Sequence, residues 1–139
     1  MKNVYEIFEE FEKAETRKDK IAVLHKNNSM ILRNVLQGAF HPAIKFVFKK
    51  PVEYKSSDSP PGMAYANLDT EFRRVYLFVE GAKSVDPNLS MQRREHILIQ
   101  ILETLEAREA KVFMNMILKD LKVKGLTSKI VEEAFPGLI

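Results

Sequence analysis

Lys119, Lys122, Lys124 and Lys129 lie close together near the end of the chain, with Asp120 as the one carboxylate among them. Gly125 interrupts the run, and Thr127 and Ser128 precede an apolar-periodic stretch, Ile130 to Ile139. A chain that turns through a glycine into a Thr-capped helix offers free backbone N–H groups at the helix start. The positive end of the helix dipole lies there too. Amides, hydroxyls and ammonium groups brought together in this way suit a phosphate. The chemistry this predicts is the holding of a polyanion, not the making or breaking of bonds. A plain helix connection, with lysines kept for solubility, accounts for the same local features. The phosphate expectation requires that the helix mouth be open and free of carboxylates.

Two further groups could share that work. Lys45, Lys49 and Lys50 are interleaved with Ile44, Phe46, Val47 and Phe48. Their ammonium groups could sit on phosphates while an aromatic packs on sugar. Equally, the segment could be a buried apolar edge with solvated lysines. Lys26, Asn28 and Ser29 fall at the start of a predicted helix and form the third set.

Other chemistries find little footing. The chain has no cysteine, which excludes a disulfide scaffold and thiol chemistry. His25, His41 and His96 lack the spacing of a metal site. No Ser, His and acid grouping announces a nucleophile, and no glycine-rich phosphate loop occurs. Glu9-Glu10 and Glu132-Glu133 read as solvated helix faces, and the methionines as core filler. No catalytic residue, metal ligand or cofactor is expected, and the protein is expected not to be an enzyme.

These groups must be positioned by helices. Val4, Ile7, Phe8 and Phe11 have helical spacing over residues 3–14, with glutamates opposite. Thr16, with Asp19 three residues on, opens a second helix that buries Ile21, Ala22 and Leu24 and ends near Lys26-Asn27. Asn28 or Ser29 caps a third, with Ile31, Leu32, Val35 and Leu36 inward. Pro42 suits the first turn of a short helix carrying Ile44, Val47 and Phe48. A two-stranded form of residues 44–54 is the weaker option.

Residues 50–66, rich in Pro and Ser, form the one long irregular loop. Asn67 then opens a helix burying Leu68, Phe72, Val75, Tyr76 and Val79 and ending at Gly81. Ser90 caps another, with Ile97, Leu98, Ile101, Leu102 and Leu105 inward, and a last long helix covers about 107–120. The sum is one all-α domain, 1–139, an irregular bundle of about seven or eight helices.

At 139 residues the chain can bury an ordinary core. Its net charge of +3 is modest but unevenly spread. Residues 1–15 set Lys2 and Lys13 against five glutamates, whereas residues 45–55 set four lysines against Glu53. Two basic segments on a nearly balanced chain point to a polyanion-binding face. No apolar run approaches the ~18 residues of a membrane span, and no signal peptide is found, so a cytoplasmic location without membrane attachment is expected.

The C-terminal stretch also resembles a known ending. Met116-Ile117-Leu118-Lys119-Asp120-Leu121, the glycine turn, and Ile130-Val131-Glu132-Glu133-Ala134-Phe135-Pro136-Gly137-Leu138-Ile139 are similar to the close of the helical N-terminal DNA-binding domain of ATP-dependent DNA ligases, the T-even-phage type above all. Ile7-Phe8, Lys20 to Asn28 with Leu32-Arg33-Asn34-Val35, and Ile44 to Pro51 follow in the same order at similar intervals. A second similarity is to short proteins of T4-like phages of cyanobacteria, which implies a phage origin and a host-cell cytoplasmic location.

The resemblance has two departures. The turn is one residue longer here, and the Lys-x-Asp-Gly motif that accepts AMP is absent, since Lys119-Asp120 and Lys124-Gly125 do not form it. What the resemblance implies is therefore non-catalytic binding of double-stranded DNA, nicked or intact, through phosphate and minor-groove contacts without sequence preference. The alternative is a protein-interaction or virion module that kept the fold and docks onto a replication or host protein. A split-ligase subunit is a more remote option.

Overall fold

The computed structural model describes residues 2–60, 63–83 and 85–139. Among them the chain is all-α, with seven α-helices and one 3-10 helix. These are α1 (Val4–Lys13), α2 (Arg17–Lys26), α3 (Met30–Phe40), α4 (Leu68–Glu71), the 3-10 helix (Phe72–Phe78), α5 (Met91–Thr104), α6 (Ala107–Ile117) and α7 (Ser128–Ala134). Side-chain caps fix most of the starts. Thr16, Ser29, Asn67, Ser90 and Thr127 accept from the backbone N–H of Asp19, Leu32, Thr70, Arg93 and Ile130. Each such bond satisfies a donor that has no partner within its helix, a gain of ~1 kcal/mol.

Helix α6 is the centre of the packing. It lies against α1, α3, α4 and α5, while α2 joins α1 to α7. One apolar cluster runs from Val4 to Ala134, and Phe11, Phe46, Phe78 and Phe113 are among its fully buried side chains. Phe78 is the junction: its ring is 6.3 Å from Phe113, edge to face, and 5.8 Å from Phe48. The expected inward residues of α1, α3 and α5 are all buried. Helix α2 differs, because Leu24 is buried, Ile21 and Val23 pack on the core from its edge, and Ala22 is exposed.

Three elements depart from the sequence expectation. Pro42 opens a turn, not a helix, and residues 44–48 are non-helical, with a bridge at Phe46 and a bend at Val47. Val47 N donates to Phe78 O at 2.8 Å and Glu80 N to Lys45 O at 2.7 Å, around an isolated antiparallel bridge between Phe46 and Val79. Phe46 and Phe48 are buried while Val47 is half-buried, the two-residue alternation of an extended chain. The β-favouring Phe-Val-Phe run decides this once a partner edge exists.

Asn67 opens only a single α turn, which tightens into the 3-10 helix. Phe72, Val75 and Phe78 recur every three residues, and three residues per turn align them on one face. Tyr76, predicted inward on a 3.6 period, is 42% exposed. Helix α6 stops at Ile117, short of the predicted end, because Lys119 takes a left-handed conformation, φ 62°. The irregular stretch is as expected over its described part, without regular structure from Pro51 to Pro60; Pro61 and Gly62 lie outside the described residues. No described helix is long and apolar enough to cross a membrane.

Candidate functional site

The C-terminal turn joins α6 to α7 through three residues in the left-handed region: Lys119, Lys122 (φ 57°) and Gly125 (φ 85°). Glycine suits the last of these because its positive φ strains any residue with a Cβ; the space beside it is not itself closed. A Cβ at Gly125 would stand 3.4 Å from Cε of Lys20, which runs beneath the turn. Lys20 donates to Phe11 O at 2.9 Å and lies 4.9 Å from the centre of the Phe11 ring. It therefore closes the C-terminus of α1, a role nothing in the sequence pattern disclosed.

Lys119 does not belong with the surface lysines predicted beside it. Its Nζ donates to Gly38 O at 2.7 Å, His41 O at 2.9 Å and Ile44 O at 2.8 Å. An ammonium has three hydrogens, and all three are engaged. The carbonyls belong to the end of α3 and the turn after it, where cations complement the helix dipole. Loss of water contact, and then the like charge of Lys49, lower its pKa from the usual lysine value. Lys119 is thus a structural clasp, its ammonium hydrogens spent on the protein's own carbonyls.

The amides of the turn also behave differently from expectation. Glu12 of α1 places Oε2 2.9 Å from the Lys124 N–H and accepts its hydrogen bond. The Lys122 N–H donates to Asp120 Oδ1 at 3.1 Å. Leu126 N is bound to Val123 O, and the Thr127 hydroxyl is engaged as a cap. The turn does attract an anion to its amides, but the protein supplies that anion itself. Of the turn's amides, those of Lys122, Lys124 and Leu126 are therefore already bound, and Thr127 caps α7 as expected. Ser128 and Lys129 are exposed beside the cap, so the mouth of α7 is open to solvent on that side.

The remaining cations form two groups. Lys45, Lys50, Lys122, Lys124 and Lys129 are exposed and make no ion pair among the described residues. Lys49 is exposed but engaged, donating to Phe46 O at 2.7 Å and facing Glu80 at 3.3 Å. Because Lys119 ties the C-terminal turn to Ile44 O, the segment carrying Lys45 and Lys50 begins where that turn begins. The tertiary structure joins the two basic segments at this clasp.

The third predicted set is less available. Lys26 and Lys2 share the Glu10 carboxylate, and Ser29 is spent on capping α3. Asn28 is exposed, and with Lys2, Lys26 and Ser29 it edges a hollow of about 150 Å³. Of the histidines, His25 Nε2 lies 2.7 Å from Ala134 O, and His41 Nδ1 accepts from Ala43 N–H at 3.1 Å.

The chain belongs to the family of unknown function DUF6433, whose model matches residues 7–124. No curated protein matches it. The matched span runs from within α1 through α6 and the turn as far as Lys124, and leaves α7 outside.

Proposed function

We propose that this chain is a non-catalytic double-stranded DNA-binding module that holds the sugar-phosphate backbone with lysine side chains. The observation that carries the reading is the set of exposed ammonium groups, without an ion pair among the described residues, on two segments joined at Lys119. These are Lys45 and Lys50 on one, and Lys122 and Lys124 on the other, with Lys129 at the edge. Long, flexible cations without carboxylate partners fit phosphates without reading bases, so binding is largely independent of sequence. The order of motifs shared with ligase N-terminal domains supports the same reading. That similarity reaches through Pro136-Gly137-Leu138-Ile139, beyond the family match.

The test is a salt titration of binding to a nicked and an intact duplex. With three to five phosphates neutralised, log affinity falls against log salt with a slope of roughly −3 to −4.5, at ~0.9 per contact. Lys122→Glu/Lys124→Glu removes two exposed cations, so the slope drops in magnitude by about 2 and affinity falls at every salt concentration. If the double variant binds duplex as tightly as the parent, the reading is wrong.

A second reading, a protein-docking module, is favoured by one observation: an open, mostly apolar groove beside α7.

A further inference from the structure

Glu12 is locally out of place. It sits in the last turn of α1, where a carboxylate opposes the negative end of the helix dipole. The helix end does not need it, being closed by Ala14 N–H on Glu10 O and Phe11 O and by the Lys20 ammonium on Phe11 O. Glu12 is exposed and makes no ion pair among the described residues. Its one side-chain hydrogen bond among them is the 2.9 Å contact with the Lys124 N–H.

The C-terminal turn, for its part, keeps its shape by other bonds. Lys119 N and Asp120 N donate to Met116 O and Asn115 O of α6, Lys122 N to Asp120 Oδ1, and Leu126 N to Val123 O. The Lys124 amide differs from these, because its acceptor comes from the opposite end of the chain. The exposed side chains of Lys122 and Lys124 belong to the same few residues. A backbone N–H with ammonium groups beside it suits an anionic oxygen, whether of a carboxylate or of a phosphodiester.

We propose that Glu12 is an autoinhibitory stand-in for phosphate. It occupies the Lys124 amide in the free protein and is displaced when a phosphodiester oxygen of duplex DNA takes that amide. This role rests on the duplex reading, to which it adds an internal competitor. Displacement exchanges one charge-assisted hydrogen bond for another, so its cost is that of the competition. A site held by its own carboxylate for about nine-tenths of the time binds an outside ligand about tenfold more weakly than an open one. General repulsion by α1 is a different effect. It acts through any exposed glutamate of the helix, Glu9 included, and leaves the bond to the Lys124 amide intact.

The experiment adds a short intact duplex to the isotope-labelled full chain and follows the Lys124 amide and the Glu12 carboxyl by NMR. Duplex affinity is measured in parallel for the parent, Glu12→Ala, Glu12→Gln and a control, Glu9→Gln. Glu9 is exposed on the same helix and bonded to nothing in the turn. In the parent both signals are expected to move, the carboxyl towards its position in a solvated glutamate. Glu12→Ala opens the amide and should bind about tenfold tighter at low salt. Glu12→Gln leaves a neutral acceptor in place and gains less, and Glu9→Gln gains at most about twofold.

The role is overturned if the parent binds duplex while Glu12→Ala gains no more than Glu9→Gln, or while the Lys124 amide signal stays where it was. Duplex binding itself then stands. Failure of the parent and of every variant to bind at low salt overturns the duplex reading, and this role with it. Binding by Glu12→Ala where the parent shows none supports the role in its strongest form. The parent's own signals keep the test open to failure should Glu12→Ala not fold.

Discussion

Lys119 and Glu109 show how much a charge means once its neighbours are known. The three carbonyls around the Lys119 ammonium close the end of α3 and hold the following turn. Lys119→Met keeps the stem and deletes all three bonds. It is expected to lower stability by about 1–2 kcal/mol, the partly exposed head limiting the loss, as read from the urea midpoint. Duplex binding by the folded protein should change little, because all three hydrogens of this ammonium are already engaged by carbonyls.

Glu109 lies buried on α6, where one carboxylate oxygen accepts from Leu68 N–H at 3.2 Å. Burial raises its pKa above the usual carboxylate value, the Leu68 hydrogen bond opposes this, and Glu106 and then Asp69 add to the rise. A carboxyl whose folded pKa lies above its unfolded one costs the fold when ionised. Its contribution is fully present below the unfolded pKa and is lost as pH rises through the folded one. Glu109→Gln keeps an oxygen for Leu68 and carries no charge. The variant is expected to be more stable than the parent at pH 8. It should also lack the part of the parent's gain in urea midpoint that appears on acidification towards the normal carboxylate range.

At the scale of elements, the segment from Asn67 to Gly81 is the instructive one. Its apolar residues satisfy a helical pattern, yet only Leu68–Glu71 is α-helical and the rest tightens to three residues per turn. That tightening lines up Phe72, Val75 and Phe78, and leaves Val79 to form its bridge with Phe46. Phe78 is fully buried between Phe48 and Phe113. Phe78→Ala is expected to cost about 3–5 kcal/mol in urea unfolding, through lost burial and the cavity left behind. Because Phe78 O and Glu80 N pair with the 45–47 backbone, amide exchange there should rise with it. The same pairing holds the Lys45–Lys50 segment in place, so this core change should also weaken duplex binding.

For the molecule as a whole, the charge separation visible in the chain is only partly a separation in space. The acidic α1 sends Glu12 to the C-terminal turn and Glu10 to Lys2 and Lys26. Glu12 therefore lowers the potential of the very turn whose lysines are proposed to hold phosphate. Glu12→Gln keeps an acceptor for the Lys124 amide and removes the charge. It is expected to raise duplex affinity severalfold at low salt, with the gain shrinking as salt is added, since exposed charges are screened over ~10 Å at 0.1 M. No change in affinity would show that the turn takes no part in binding.

Apolar periodicity and capping residues were enough to reveal the all-α class and the places where α1, α2, α3, α5 and α7 begin. Those signals are local: a Ser or Thr before an apolar stripe acts within its own first turn, wherever the rest of the chain lies. The clustering of lysines was equally plain. Which of them are free was settled only by tertiary contact. Lys119 is consumed by carbonyls about eighty positions earlier, and the Lys124 amide by Glu12 from the opposite end of the chain. The form of residues 44–48 depended likewise on an edge supplied by Phe78 to Glu80. A hydrogen bond between distant segments leaves no period in the sequence, because its partners are chosen by the packing of everything between them.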